Sequence, residues 1–182
     1  SLIFTVITIM IKPDTIIREF QLKNFRTDKT FDTPYGNVTT GYFYGEKVTF
    51  YDFRPLYYSN DNLHCEEDIH FAMLQPVKTD SVLLISGGLN NHLPEIMKYN
   101  PGRIVYIEHD PGLLKTEDIS GVKENGTTID ISGKDAFSFL KQEKQKFNII
   151  IQLVPQPTTL DINRYYTREY FAKVKLNLTK DG

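Results

Sequence analysis

From Ser81 onward the chain alternates short, unbroken apolar runs with longer mixed segments. The runs are VLLIS (82–86), RIVYIE (103–108), GTTIDI (126–131) and FNIIIQLV (147–154), each of strand length. Between them lie NNHLPEIMKY, GLLKTED and KDAFSFLKQEKQ, and TREYFAKVKLNL follows the last, each mixing apolar and charged positions as a helix does. Strands apolar at successive positions are buried on both faces, and helices must cover those faces. The alternation therefore predicts an α/β chain with a parallel, doubly wound sheet.

The first part of the chain has another pattern. Residues 15–58 are rich in Thr, Tyr, Phe and Gly, with turn signals in TPYGN and YGEK. VTTGYFY and KVTFYDF flank the second signal and predict an antiparallel hairpin unit. NDNLHCEEDIHFAML then reads as a helix, broken by QPVKTD. The expected division is a small β segment over 1–60 and a nucleoside-binding unit over 61–182. Leu2–Ile11, LIFTVITIMI, is too short to span a bilayer, which needs about 20 helical residues. It reads either as a β-rich strand, the favoured expectation, or as the end of a longer apolar helix lying upstream.

Size and charge narrow the classes. The 182 residues suit one substantial core with a small appendage. Lys and Arg number 21 against 23 Asp and Glu, a net charge of -2, so no basic field recruits nucleic acid. A single cysteine, Cys65, excludes an intrachain disulfide and a four-cysteine metal site, and a reducing cytoplasm is the expected compartment.

Candidate chemistry gathers where the predicted strands end. Gly87 and Gly88 follow the first strand, where a loop without side chains lets a ligand approach the backbone. The third glycine of a dinucleotide fingerprint is absent, so a nicotinamide or flavin site is disfavoured. Glu108, 21 residues beyond Gly87, ends the next strand, at the spacing of an acid that accepts both ribose hydroxyls. Asp135 follows the third strand and can accept from an adenine amino group. The competing reading makes both acids helix caps or first-turn acids.

HCEEDIH offers His64, Cys65, Glu66, Glu67 and His70, yet the spacing puts too few on one helix face for a metal. The expectation there is a helix whose His70 packs beside the glycine loop. Arg164 and Arg168 can grip an anion or begin a solvated helix. Tyr42, Tyr44, Tyr57 and Tyr58 suit either a subunit interface, as in a homodimer, or packing across the hairpin.

Taken in order, TPYGNV, EEDIHFAML, VLLISGGLNNHLPEI, IVYIEHDP, GKDAFSFL, FNIIIQLVPQPTT and LDINRYYTREYFAKVKLNLTKDG resemble the spermidine synthase family, the aminopropyltransferases. The similarity is to the branch whose members often carry a membrane region, and it runs from Thr33 to Gly182. The resemblance implies a small N-terminal β domain and a Rossmann-like, methyltransferase-type domain. Its expected ligand is decarboxylated S-adenosylmethionine, or S-adenosylmethionine, taken as a substrate, with an amine as acceptor and no metal. It assigns Glu108 to the ribose and Asp135 to the adenine, with Gly87, Gly88 and Leu89 forming the rest of the nucleoside side.

Several positions depart from the family's pattern. Leu89 stands where the family's glycine loop carries an Asp, and Leu153 and Gln156 occupy the two carboxylate positions of its catalytic segment. His64 and Cys65 replace a Tyr and a Gln or His on the amine side. A diamine is dicationic, and its attacking nitrogen must lose a proton, so the missing acids remove both the counter-charge and the base. The expectation is a transferase-like domain that binds an adenosyl-sulfur nucleoside, with ordinary spermidine synthesis doubtful and the catalytic group unknown. The alternative is a non-catalytic binding or interaction domain on the same scaffold. Because LTKDG leads into further strands in the family, the parallel sheet is expected to be incomplete at its C-terminal end. Strand 147–154 would then be an edge covered by another chain or by Leu2–Ile11.

Overall fold

The computed structural model describes residues 16, 19–20, 23–75, 78–117 and 126–182. Leu2–Ile11, read above as a strand, lies outside them. The chain divides into two compact units, residues 1–59 and 60–182.

Four antiparallel strands build the first unit, in the order β1 (Phe25–Asp32), β2 (Asn37–Phe43), β3 (Glu46–Tyr51) and β4 (Arg54–Tyr58). Tyr44 and Gly45, both with positive φ, form the two-residue turn from β2 to β3 that YGEK predicted. The run KVTFYDF is not one strand. It stops at Tyr51, and Asp52 and Phe53, with φ of +47° and +63°, make a second tight turn. Asp52 tolerates that backbone, and its carboxylate accepts the Asn37 N–H at 2.8 Å. Pro55 is accommodated because β4 is an edge strand. Phe25, Val48 and Phe50 are buried together, with Phe25 and Phe50 edge to face.

The second unit opens with helix α1 (Asn62–Met73) and then lays down β5 (Ser81–Ile85), α2 (Leu89–Met97), β6 (Arg103–Ile107), a 3-10 turn (Pro111–Thr116) and β7 (Thr128–Ser132). Helix α3 (Ala136–Gln142), β8 (Ile149–Gln152), α4 (Leu160–Asn163), a 3-10 turn (Arg164–Tyr166) and α5 (Arg168–Asn177) follow. The strands pair in parallel in the order β7, β6, β5, β8. β6, β7 and β8 are shorter than the apolar runs that predicted them, and β5 lies one residue earlier than its run, because flanking residues such as Ser86 and Glu108 turn out of the ladder to form the loops. GLLKTED makes only a 3-10 turn, started by Pro111 and capped by Asp110, whose carboxylate accepts the Gly112 N–H at 2.8 Å.

Alternate strand residues feed two apolar layers. Val82, Leu84, Ile104 and Tyr106 face Ile69 and Met73 of α1 and Leu89, Leu93 and Ile96 of α2. Leu83, Ile85, Val105 and Ile107 face Ala136 and Leu140 of α3, with Ile162, Tyr165 and Tyr170. Helix starts carry side-chain caps: Asp135 for α3, Thr159 for α4 and Thr167 for α5. β8 lies at the end of the described sheet, but Ile149 and Ile151 are buried within the unit itself, and Leu178 bridges Phe147.

Candidate functional site

From β5 the chain steps outward to β6 and β7, then returns to β8 on the other side of β5. The carboxyl ends of β5 and β8 therefore flank the point where the winding reverses, which is where open α/β sheets bind ligands. Gly87 and Gly88 sit there with φ of +92° and +85°. A β-carbon on Gly87 would lie 2.5 Å from Leu153 Cδ1, so both its backbone and its neighbour require glycine. Ser86 also has positive φ, +62°, and is held by three contacts. Its N–H donates to the Ile107 carbonyl at 2.8 Å, while its Oγ accepts the His109 N–H at 3.0 Å and meets His109 Nδ1 at 3.0 Å.

His92 of α2 fastens the loop from beneath. Its Nδ1 donates to the Gly88 carbonyl at 2.8 Å and its Nε2 lies 3.3 Å from Asp68 of α1. The ring beside the glycine loop is thus His92, not His70. His70 contacts the Tyr99 hydroxyl and Glu95 Oε2, near the far end of α2. Both histidines lie on the faces where α1 and α2 meet; which of them meets the loop depends on where α2 starts.

Glu108 leaves the end of β6 on the same face as Tyr106 and is fully buried, with 0% exposure. The Tyr106 hydroxyl donates to Glu108 Oε1, and His109 Nδ1 lies 3.2 Å from Oε2. A second carboxylate arrives from the end of the 3-10 turn. Glu117 Oε2 accepts the Asn90 N–H at 3.1 Å, the Leu89 N–H also donates to the group, and Oε1 lies 3.4 Å from the Tyr106 hydroxyl. Burial pushes Glu117 up to about 7, with the nearby Glu108 charge adding to the rise and the α2 N–H groups opposing it. Glu117 had no signal in the sequence pattern, because it falls within the segment GLLKTED expected to be a helix and reaches the site only because that segment forms a short 3-10 turn ending at Thr116.

Asp135 adopts the capping role. Its Oδ1 accepts the N–H groups of Phe137 and Ser138 at 3.0 and 3.2 Å, and its Oδ2 accepts the Ser138 hydroxyl at 2.7 Å. Arg164 lies 3.9 Å away and its guanidinium stacks over Tyr165. Leu89, the first residue of α2, is buried at 0% exposure in the α1–α2 layer, and Leu153 covers Gly87, while Gln156 is exposed.

His64 and Cys65 point differently. His64 is 74% exposed and pairs with Asp61. Cys65 is buried, and desolvation, reinforced by Asp61, Asp68 and Glu95, pushes its thiol up to about 11, so it offers an amine no charge. Among the described residues no three His, Cys, Asp or Glu side chains gather as metal ligands, and no helix is long and apolar enough to cross a membrane. Tyr42, Tyr44 and Tyr58 are exposed, so packing across the hairpin does not bury them.

Comparison with known proteins agrees with this geometry. A polyamine aminopropyltransferase 2 of Aquifex aeolicus is 26% identical over 159 residues, which cover 82% of this chain and 32% of the relative. A polyamine aminopropyltransferase of Oceanobacillus iheyensis is 23% identical over 122 residues, covering 63% and 24%. The chain thus spans a third or less of the length of these two curated relatives. Among solved structures, a spermidine synthase in complex with the transition state analogue AdoDATO superposes with a TM-score of 0.73 at 18% identity, covering 86% of this chain and 56% of that one. The Thermotoga maritima spermidine synthase gives 0.71 at 18% identity, covering 86% and 55%. These likenesses establish the Rossmann-like fold with its antiparallel N-terminal sheet. The family model for the spermine/spermidine synthase domain matches residues 64–182, most of the chain, and the protein belongs to that family.

Proposed function

We propose that this chain forms the nucleoside-binding part of an aminopropyltransferase. The site lies at the carboxyl ends of β5, β6 and β7. Gly87 and Gly88 let the ligand approach the backbone, Glu108 accepts the ribose hydroxyls, and Asp135 stands at the adenine end. The observation that carries this reading is the buried carboxylate of Glu108 one strand from a positive-φ glycine turn, at the point where the sheet reverses. The expected ligand is decarboxylated S-adenosylmethionine, with S-adenosylmethionine and methylthioadenosine as related probes. The compartment that fits a single buried thiol is the reducing cytoplasm.

In aminopropyl transfer an amine nitrogen attacks the carbon beside the sulfonium. The attacking nitrogen first gives up a proton to a base; as it attacks, the carbon–sulfur bond breaks, sulfur keeps the electron pair and leaves as neutral methylthioadenosine, and the positive charge passes to the new secondary ammonium. A carboxylate must hold the amine and receive the proton lost before attack. Leu89 and Leu153 are apolar, and Gln156 supplies neither charge nor base. The chain's residues therefore suit nucleoside binding better than activation of an ordinary diamine.

A second reading, a binding domain without catalysis, draws on the same packing. Leu89 is an inner core residue and Leu153, partly buried, is pressed onto Gly87, so two of the three acid positions carry apolar packing instead of charge. Calorimetric titration with methylthioadenosine, S-adenosylmethionine and its decarboxylated form, followed by a product assay with putrescine, decides between them. Binding with product supports the transferase, and binding without product supports the non-catalytic domain. No binding by any of the three nucleosides defeats both.

A further inference from the structure

Tyr106 and Glu108 are two residues apart along β6 and its extension, so both side chains lie on the face that α2 covers. The Tyr106 hydroxyl donates to Glu108 Oε1, the carboxylate read above as the ribose acceptor. A phenol carries one proton and can donate to one acceptor at a time. Glu117 Oε1 lies 3.4 Å from the same hydroxyl. Glu117 is kept there independently of Tyr106, because the Asn90 and Leu89 N–H groups at the start of α2 donate to it.

We propose that the Tyr106 hydroxyl is an internal stand-in for a ribose hydroxyl, passing from Glu108 to Glu117 when a nucleoside takes Glu108. This rests on the assignment of Glu108 to the ribose. A buried donor that gives up an acceptor loses stability, and Glu117 offers the phenol a replacement when a ribose takes Glu108. With Glu117 in place the phenol recovers part of what it loses: the diol gains Glu108, and the phenol exchanges it for Glu117, the more distant acceptor at 3.4 Å. Tyr106 is then a competitor that lowers affinity, and Glu117 is a positioning residue that limits the competition. Neither touches the reacting carbon.

The protonation of Glu117 gives a second handle. It faces Glu108 and Tyr106 from β6 and its extension and the N–H groups of Leu89 and Asn90 from α2, and His109 stands beside Glu108. Burial holds Glu117 near neutrality, at about 7, so it turns from acid to anion, and from weaker to stronger acceptor, in that range. Uncharged methylthioadenosine should therefore bind the wild-type chain more tightly at about pH 8 than at about pH 6.

The test is calorimetric titration of methylthioadenosine into the wild-type chain, Tyr106→Phe, Glu117→Gln, the double variant and Glu108→Ala. Tyr106→Phe should bind about threefold more tightly, the part of one hydrogen bond that Glu117 does not return, and should lose the rise with pH. Glu117→Gln should weaken binding several-fold, and should do so far less in the Tyr106→Phe background. Unchanged or weaker binding by Tyr106→Phe, or an equal effect of Glu117→Gln in both backgrounds, overturns the proposal. If Glu108→Ala binds as well as wild type, the ribose assignment fails and takes the proposal with it. Binding that depends on Glu108 but gains nothing from Tyr106→Phe sinks the stand-in alone. Should Tyr106→Phe not fold, the wild-type profile decides, and a flat affinity between about pH 6 and about pH 8 overturns the proposal.

Discussion

Leu153 closes over Gly87 so tightly that a β-carbon added to the glycine would meet Leu153 Cδ1 at 2.5 Å and Cβ at 2.8 Å. The segment after β8 is thereby packed closely over the glycine turn after β5.

Gly87→Ala combines that overlap with a φ of +92°, a backbone that L side chains avoid. It should destabilise the second unit by about 1–3 kcal/mol in urea unfolding. Pairing it with Leu153→Ala should restore part of the loss by removing the overlap with Cδ1, leaving the contact with the Leu153 β-carbon at 2.8 Å and the backbone strain. Equal losses in the single and double variants would show that the contact is not the cause.

Asp135 offers a way to separate capping from ligand binding. Asp135→Ala should cost about 1 kcal/mol through loss of the bonds to the Phe137 and Ser138 N–H groups, while Asp135→Ser should keep most of that stability. If the carboxylate also serves the adenine, Asp135→Ser should still weaken methylthioadenosine binding several-fold. Affinity that follows stability across the two variants would leave Asp135 as a cap only.

Glu117 makes stability depend on pH with a definite sign. Burial raises its pKa to about 7 in the folded chain from about 4.5 for an ordinary glutamate, so between those limits the folded state holds a proton that the unfolded state has lost. Stability should fall as pH rises from about 4.5 to about 7 and stay reduced above, by up to about 3 kcal/mol from this group. Urea unfolding at about pH 5 and about pH 8 should show a drop in the wild type that Glu117→Gln lacks. Parallel profiles for the two chains would contradict the assignment.

Placing acids where the family resemblance implies them should succeed at one position and fail at another. Gln156→Asp is exposed and should change stability by less than about 0.5 kcal/mol. Leu89→Asp places an ionised group in the α1–α2 core and should destabilise by several kcal/mol. A product assay with putrescine on Gln156→Asp then asks whether a single returned carboxylate supports transfer. Product from that variant and none from the parent would assign the deficit to position 156.

The local pattern was enough to determine the class of fold. Unbroken apolar strands separated by mixed segments require helices on both faces, and Gly87 and Gly88 mark a turn whatever else surrounds them. The order of Gly87, Glu108 and Asp135 along the chain was legible too, since each follows a strand. Tertiary structure decided what those residues touch. Asp135 spends its oxygens on the start of α3, Glu108 is closed in by Tyr106, and Glu117 joins the site across an interval of 27 residues from Asn90. The exchange of His92 for His70 beside the loop has the same origin. Strand periodicity is a property of neighbours in sequence, whereas these contacts arise from the parallel crossovers that bring the ends of separate elements to one rim.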